Sequence, residues 1–315
     1  MNDPSSPRGL GAAPHWAERP ERSNMFFLRI MAWISLRLGR RAGRLVLHLI
    51  VVYFLLFAPS AHRASRNFLR RVLGCAPGLA DCYRHFFRFA STIHDRVYLL
   101  NGQFSRFDIR IVGEEAMERV LAEGRGAFLL GAHFGSFEVL RAVARQRPGL
   151  EPAMVMYEEN ARKINAMLAA IAPGRGGEVI PLGRVDSMLR LREALDRGKI
   201  VGMLGDRSLG SEPAQQLPFL GGLARFPTGP LRMAALMKRP VLLMAGIYLG
   251  GNRYELHFER LEDFSDGTGD RSDVLGAAMA RYVERLESLC RTHPYNWFNF
   301  FDFWAAGQAR TGRAG

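Results

Sequence analysis

From Arg22 to Ala80 the chain contains no aspartate or glutamate. Lysine is also scarce, with Lys163, Lys199 and Lys238 the only three, so the formal net charge of +13 is carried by arginine. Arginine forks suit phosphate and carboxylate, which points to anionic partners. Cys75, Cys82 and Cys290 are odd in number and widely spaced, with no C-x-x-C pair. That excludes a disulfide framework and a structural zinc site, and fits a reducing compartment. No H-E-x-x-H or other metal signature occurs, so no metal and no bound cofactor are expected. Ser136 stands in Gly135-Ser-Phe and not in a G-x-S-x-G elbow, which argues against an acyl-serine intermediate. No apolar run reaches the roughly 20 residues that cross a bilayer core.

What is present divides the chain. Residues 1–23 are rich in Pro, Ser, Gly and Arg, without apolar periodicity, and read as a mobile leader lacking a secretory h-region. Residues 24–60 are strongly apolar, with Gly39 to Arg44 between two runs and Arg40, Arg41, Arg44, Arg63, Arg66, Arg70 and Arg71 beside them. Apolar segments with cationic flanks are suited to an anionic leaflet, as an interfacial or re-entrant attachment. A buried soluble helix is the alternative. Residues 61–106 read as an amphipathic helical lead-in broken at Gly74–Gly78, with His85, His94 and Asp95 as satisfied polar groups.

Residues 107–304 alternate strand and helix. Strands are expected at Phe107–Val112, Phe128–Leu130, Pro152–Tyr157, Glu178–Leu182 and Ile200–Leu204, with helices between them. This rhythm predicts an α/β fold, a mixed sheet flanked by helices. Val241–Tyr248 and Tyr254–Arg260 form a hairpin, and a last helix near Asp273–Arg291 precedes an aromatic tail. Residues 217–232, dense in glycine and proline yet apolar, read as a binding loop with Thr228 as the N-cap of the next helix. Residues 305–315 are a tail.

The chemistry is expected where the apolar run around Phe128–Leu130 ends in Gly131-Ala-His133 and a helix begins near Gly135 or Ser136. His133 then lies at the carboxyl end of a strand, where ligands of open α/β sheets collect. Its imidazole can take and return a proton near neutral pH. Glu138, in the first helical turns, could fold back to steady the imidazolium. The same switch-point logic brings Asp206 and Arg207, just past the strand ending at Leu204, to that cleft. Candidate oxyanion donors are the amides near Gly135, Arg207 or Arg225.

Together, the basic apolar N-terminus, the His133…Glu138 pair, the Asp206 loop, Pro218-Phe-Leu-Gly221 and the Pro294…Trp297…Trp304 tail resemble the lipid A biosynthesis acyltransferase family, within the glycerolipid-type acyltransferases. The resemblance implies transfer of an acyl chain from acyl carrier protein, or from coenzyme A as alternative co-substrate, to a lipid or glycolipid hydroxyl. It also implies a place at the cytoplasmic face of the inner membrane, with His133 as base and Glu138 as its partner. Asp206 aligns with an acidic position usually followed by Gln, which Arg207 replaces here. The chain looks closer to the branch found with aryl-polyene pigment pathways. A nucleic-acid-binding protein, suggested by charge alone, is the rival. It lacks zinc-finger spacing or an RNA-recognition signature, so no nucleic-acid partner is expected. An inactive scaffold of the same fold is the other alternative.

Overall fold

The computed structural model describes residues 21–144, 150, 152–172, 178–184, 186–207, 212–265 and 271–305. All but the last three residues of the expected leader, and all but the first of the expected tail, lie outside them.

The helical lead-in comprises α1 (Glu21–Phe57), α2 (Pro59–Leu73) and α3 (Leu79–Leu100). Gly39, at φ 83° and ψ 170°, interrupts α1, a conformation that glycine alone adopts without strain. Among the described residues no single helix is long and apolar enough to cross a membrane, and α2 leaves the second half of α1 at 95°. That half has two apolar faces. Leu47 and Val51, four apart, are buried, while Leu45, Leu49, Val52, Leu56 and Phe57 are exposed. The lead-in is thus both a packed helix and a bearer of uncovered apolar surface.

A buried ion pair fixes α1 on α3. Arg40 clasps Asp95 through two hydrogen bonds of 2.7 and 2.8 Å, and Tyr254 donates a third to Asp95 at 2.9 Å. Burial and the adjacent Asp95 carboxylate raise the Tyr254 phenol well above its ordinary value, so it remains a donor. Tyr98 adds a hydrogen bond to the Ser35 carbonyl at 2.9 Å. His94 is pressed against Gly43, where a Cβ would come within 2.2 Å of its Nε2, and burial brings its pKa to about 4. His94 is therefore neutral packing, and among the described residues neither of its ring nitrogens has a hydrogen-bond partner, so it is not the satisfied polar group expected from the sequence.

After a one-turn 3-10 helix at Phe104–Arg106, strand and helix alternate: β1 (Asp108–Val112), α4 (Glu114–Glu123), β2 (Ala127–Gly131), α5 (Glu138–Ala144), β3 (Pro152–Tyr157), α6 (Glu158–Ile171), β4 (Val179–Leu182), α7 (Ser187–Asp196) and β5 (Ile200–Leu204). A two-stranded hairpin, β6 (Ala214–Phe219) and β7 (Gly222–Pro227), precedes α8 (Gly229–Met237), β8 (Pro240–Gly250), β9 (Arg253–Asp263) and α9 (Arg271–Thr292). Seven strands form one sheet in the order β1-β9-β8-β2-β5-β3-β4. Only the β8–β9 pair is antiparallel. The fold is α/β, with a mostly parallel, mixed sheet flanked by helices.

β2 is buried along its whole length because it lies between β8 and β5 with both faces covered. Phe128 and Leu130 join the core on one face, and Ala127 and Leu129 join that on the other. Residues 214–227 depart from the sequence expectation. Much of the apolar stretch expected to be a binding loop is a hairpin turning at Leu220–Gly221, with Phe219, Ala224 and Phe226 buried. Proline and glycine masked the alternation. Thr228 does precede α8, yet its hydroxyl bonds the Pro213 carbonyl at 3.1 Å and caps no helix amide.

Asp95→Ala should leave Arg40 and Tyr254 without their common partner in the core. The expected cost is about 3–5 kcal/mol, as for removing one member of a buried pair. Equilibrium urea unfolding monitored by circular dichroism checks this; a midpoint equal to wild type would show that the pair contributes nothing.

Candidate active site

The parallel register of β2 and β5 assembles the site. Gly131 stands opposite Leu204, and Gly205 N–H donates to the Gly131 carbonyl at 3.0 Å. The residue two beyond each paired position then falls side by side, which sets His133 against Asp206. His133 Nδ1 lies 2.8 Å from Asp206 Oδ1, and the His133 amide donates to Oδ2 at 3.0 Å. Trp297 Nε1 and Asn299 Nδ2 donate to Oδ2 as well, at 3.0 and 2.8 Å. Burial opposes ionisation of Asp206, but neighbouring His133, with its ring and amide hydrogen bonds, and Arg207 outweigh it, holding the carboxyl well below its ordinary range.

An ionised Asp206 only accepts, so His133 Nδ1 carries the proton and Nε2 is the basic nitrogen of the neutral ring. The His133 side chain is 28% exposed while Asp206 is fully enclosed. Burial, together with Arg207 and Arg96, lowers the His133 pKa from its usual value, against the pull of Asp206. A mostly neutral imidazole with a fixed tautomer and an open side is equipped for proton transfer.

Glu138 does not fold back on this imidazole, a correction to the sequence expectation. Its carboxylate pairs with Arg96 of α3 at 2.9 Å and accepts a 3.4 Å hydrogen bond from Ser136 Oγ. The physical reason is that α5 begins only at Glu138, after an irregular turn that is itself tied down. Gly135, at φ 63°, forms a bridge with Gly246 of β8, and a Cβ there would come within 1.8 Å of the Gly246 carbonyl oxygen. The Gly135 amide donates to Asn296 O at 2.8 Å and the Ser136 amide to Gly246 O at 2.7 Å. Both are spent on the fold, so neither is an oxyanion donor as expected from the sequence.

Arg207 turns to the aromatic tail, donating from Nε to Asn299 Oδ1 at 2.6 Å and from Nη2 to Phe298 O at 3.0 Å. Arg225 lies on β7 opposite Gln216, on the face away from buried Ala224 and Phe226. Among the described residues no hydrogen bond or ion pair joins it to His133, Asp206 or Glu138.

The contribution that residue-by-residue reading missed is the tail itself. Asn296 exchanges hydrogen bonds with the Tyr248 backbone at 2.9 and 3.2 Å, anchoring the segment on β8. Trp297 is packed between Phe68, Phe219 and Phe303, with ring centroids 4.7 to 5.3 Å apart. Phe298 N–H donates to the His133 carbonyl at 2.7 Å. The sequence marked this segment through its Pro294…Trp297…Trp304 pattern, but assigned none of its residues a place at the site.

The model of the bacterial lipid A biosynthesis acyltransferase family matches residues 79–305, which take in this whole site. The chain belongs to that family. It is therefore an acyltransferase of lipid biosynthesis; the matched span runs from α3 through both loops of the site to the aromatic tail, and α1 and α2 precede it. No curated protein matches the chain. Among solved structures it is similar to the 1-acyl-sn-glycerophosphate acyltransferase PlsC from Thermotoga maritima, at 13% identity and a TM-score of 0.39, covering 85% of this chain and 98% of that one.

Asp206→Asn should reduce acyl transfer by about 10²–10⁴, because the amide no longer enforces the Nδ1–H tautomer or offsets an imidazolium. Turnover by folded variant measured beside wild type decides this, and wild-type turnover would take Asp206 out of the chemistry.

Proposed function

We propose that the protein is a membrane-associated O-acyltransferase. It moves a fatty-acyl or polyene-acyl chain from an acyl carrier protein thioester to the hydroxyl of a lipid or glycolipid. The observation that carries this reading is the His133–Asp206 pair, with Nδ1 committed to the carboxylate and Nε2 left as the base. Nε2 takes the acceptor's proton as its oxygen attacks the thioester carbonyl carbon. The C–O bond forms, the tetrahedral oxyanion collapses, the C–S bond breaks and the departing thiolate recovers the proton from His133. Asp206 steadies the imidazolium between the two transfers. Glu138 acts at one remove by holding Arg96, whose charge, with that of Arg207, bears on His133 and favours negative charge developing nearby. Arg207 stands where the family usually has glutamine, and the acceptor we infer is one of the aryl-polyene branch that the sequence resembles.

Membrane association rests on α1 and α2. The exposed face of α1 is apolar over Leu45, Leu49, Leu56 and Phe57. The outward face of α2 carries Arg63, Arg66 and Arg70, with no acidic residue anywhere in the helix. This combination suits burial at the headgroup boundary of an anionic leaflet, which for this chemistry is the cytoplasmic face of the inner membrane.

His133→Ala should lower transfer from an acyl carrier protein thioester by about 10²–10⁴. Wild-type turnover should rise with pH through the depressed His133 pKa, so its acid limb falls below about 6.5. Asp206, held far lower, contributes no limb in the working range. Retained turnover in the alanine variant, or an acid limb above 7, would reject His133 as base, and preference for a coenzyme A thioester would reject the carrier protein.

Replacing Leu45, Leu49, Leu56 and Phe57 together by Gln spares the buried Leu47 and Val51. Flotation with anionic vesicles should fall sharply while the folded core persists. Undiminished flotation would place the contact elsewhere.

A further inference from the structure

We propose that His85 of α3, locked by Ser65 of α2, is a positioning residue for the His133–Asp206 pair, acting through the Trp297–Phe298 peptide. The proposal deepens the assignment of His133 as base and rests on it.

A single peptide unit lies between the two histidines. Its carbonyl, that of Trp297, is 2.7 Å from His85 Nε2. Its N–H, that of Phe298, donates to the His133 carbonyl at 2.7 Å. The Trp297 side chain holds Asp206 through its indole. Tilting this peptide therefore disturbs the backbone of the base and the anchorage of its carboxylate together. Hydrogen bonds at both ends of one amide also polarise each other.

The lock on His85 has one consistent arrangement. The Trp297 carbonyl can only accept, so Nε2 carries the proton. Burial brings the ring to a pKa of about 4, so it is neutral and Nδ1 has a lone pair. Ser65 Oγ, 2.8 Å away, donates to that lone pair. Ser65 and His85 are both wholly buried. Neither has solvent-exposed surface through which a substrate could touch it. Packing alone would be served by an apolar side chain of similar size, without the cost of desolvating an imidazole.

His85→Leu should lower kcat between about tenfold and a hundredfold, the scale expected when reacting groups shift by an ångström, with KM for the acyl donor unchanged. Its acid limb should move to lower pH, since a loosened Asp206 supports the imidazolium less. His85→Gln presents an amide N–H where Nε2–H stood and should restore most of kcat and the wild-type limb. Equal losses in both variants with an unmoved limb would overturn the proposal and leave His85 as packing. If His85→Leu does not fold, Ser65→Ala carries the test: a partial kcat loss with the same displacement supports it, and a wild-type kcat and limb overturn it. Ring-nitrogen NMR of the wild-type protein should report a neutral His85 with its proton on Nε2 across the assay range, and a proton on Nδ1 would also overturn it. That measurement needs no turnover, and His133→Ala assayed alongside separates failure of this proposal from failure of the base assignment.

Discussion

One buried carboxylate organises the reactive end of this protein. Asp206 accepts hydrogen bonds from the amide and ring of His133, the indole of Trp297 and the amide of Asn299. An anion fully removed from water would be prohibitively costly without such compensation. Its donors come from two regions far apart in the chain, the turn after β2 and the tail after α9. The carboxylate thus ties the turn after β2 to the tail after α9, and its ionisation, favoured by His133 and Arg207, fixes the proton on His133 Nδ1.

The tail answers that demand with consecutive residues. Asn296 substitutes for a strand neighbour against Tyr248, Trp297 fills an aromatic nest and reaches Asp206, Phe298 secures the His133 backbone, and Asn299 joins Asp206 to Arg207. The β6–β7 hairpin completes the nest, since Phe219 stacks on Trp304 and its carbonyl accepts the Trp304 indole at 3.1 Å. Aromatic residues suit this task because each contributes a large buried face and, in tryptophan, one polar edge that must find a partner.

A second buried carboxylate, Asp95, does comparable work for the lead-in helices. Its bonds to Arg40 and Tyr254 draw α1 onto α3 and β9, so α1 belongs to the folded body along one face. The other face keeps its leucines uncovered. Anchorage of one face and exposure of the other are compatible because helical spacing separates Leu47 and Val51 from Leu45 and Leu49.

Much of this architecture was legible in the sequence. The strand–helix rhythm from β1 to β5, the β8–β9 hairpin, the last helix and the position of His133 at a strand end all follow from local apolar periodicity. Periodicity is a local property, so it survives translation into structure. The hairpin at 214–227 was hidden because Pro218, Gly221, Gly222 and Pro227 suggested a loop, while its stability comes from burying Phe219 and Phe226 against the tail. The partner of His133 was hidden for a related reason. Sequence proximity favoured Glu138, five residues away, whereas strand register placed Asp206, 73 residues away, within 2.8 Å. The sequence by itself determined which residue types and which strand ends could carry the chemistry. Only the tertiary structure decided which carboxylate meets the imidazole, because register and tail closure are set by pairings between distant segments.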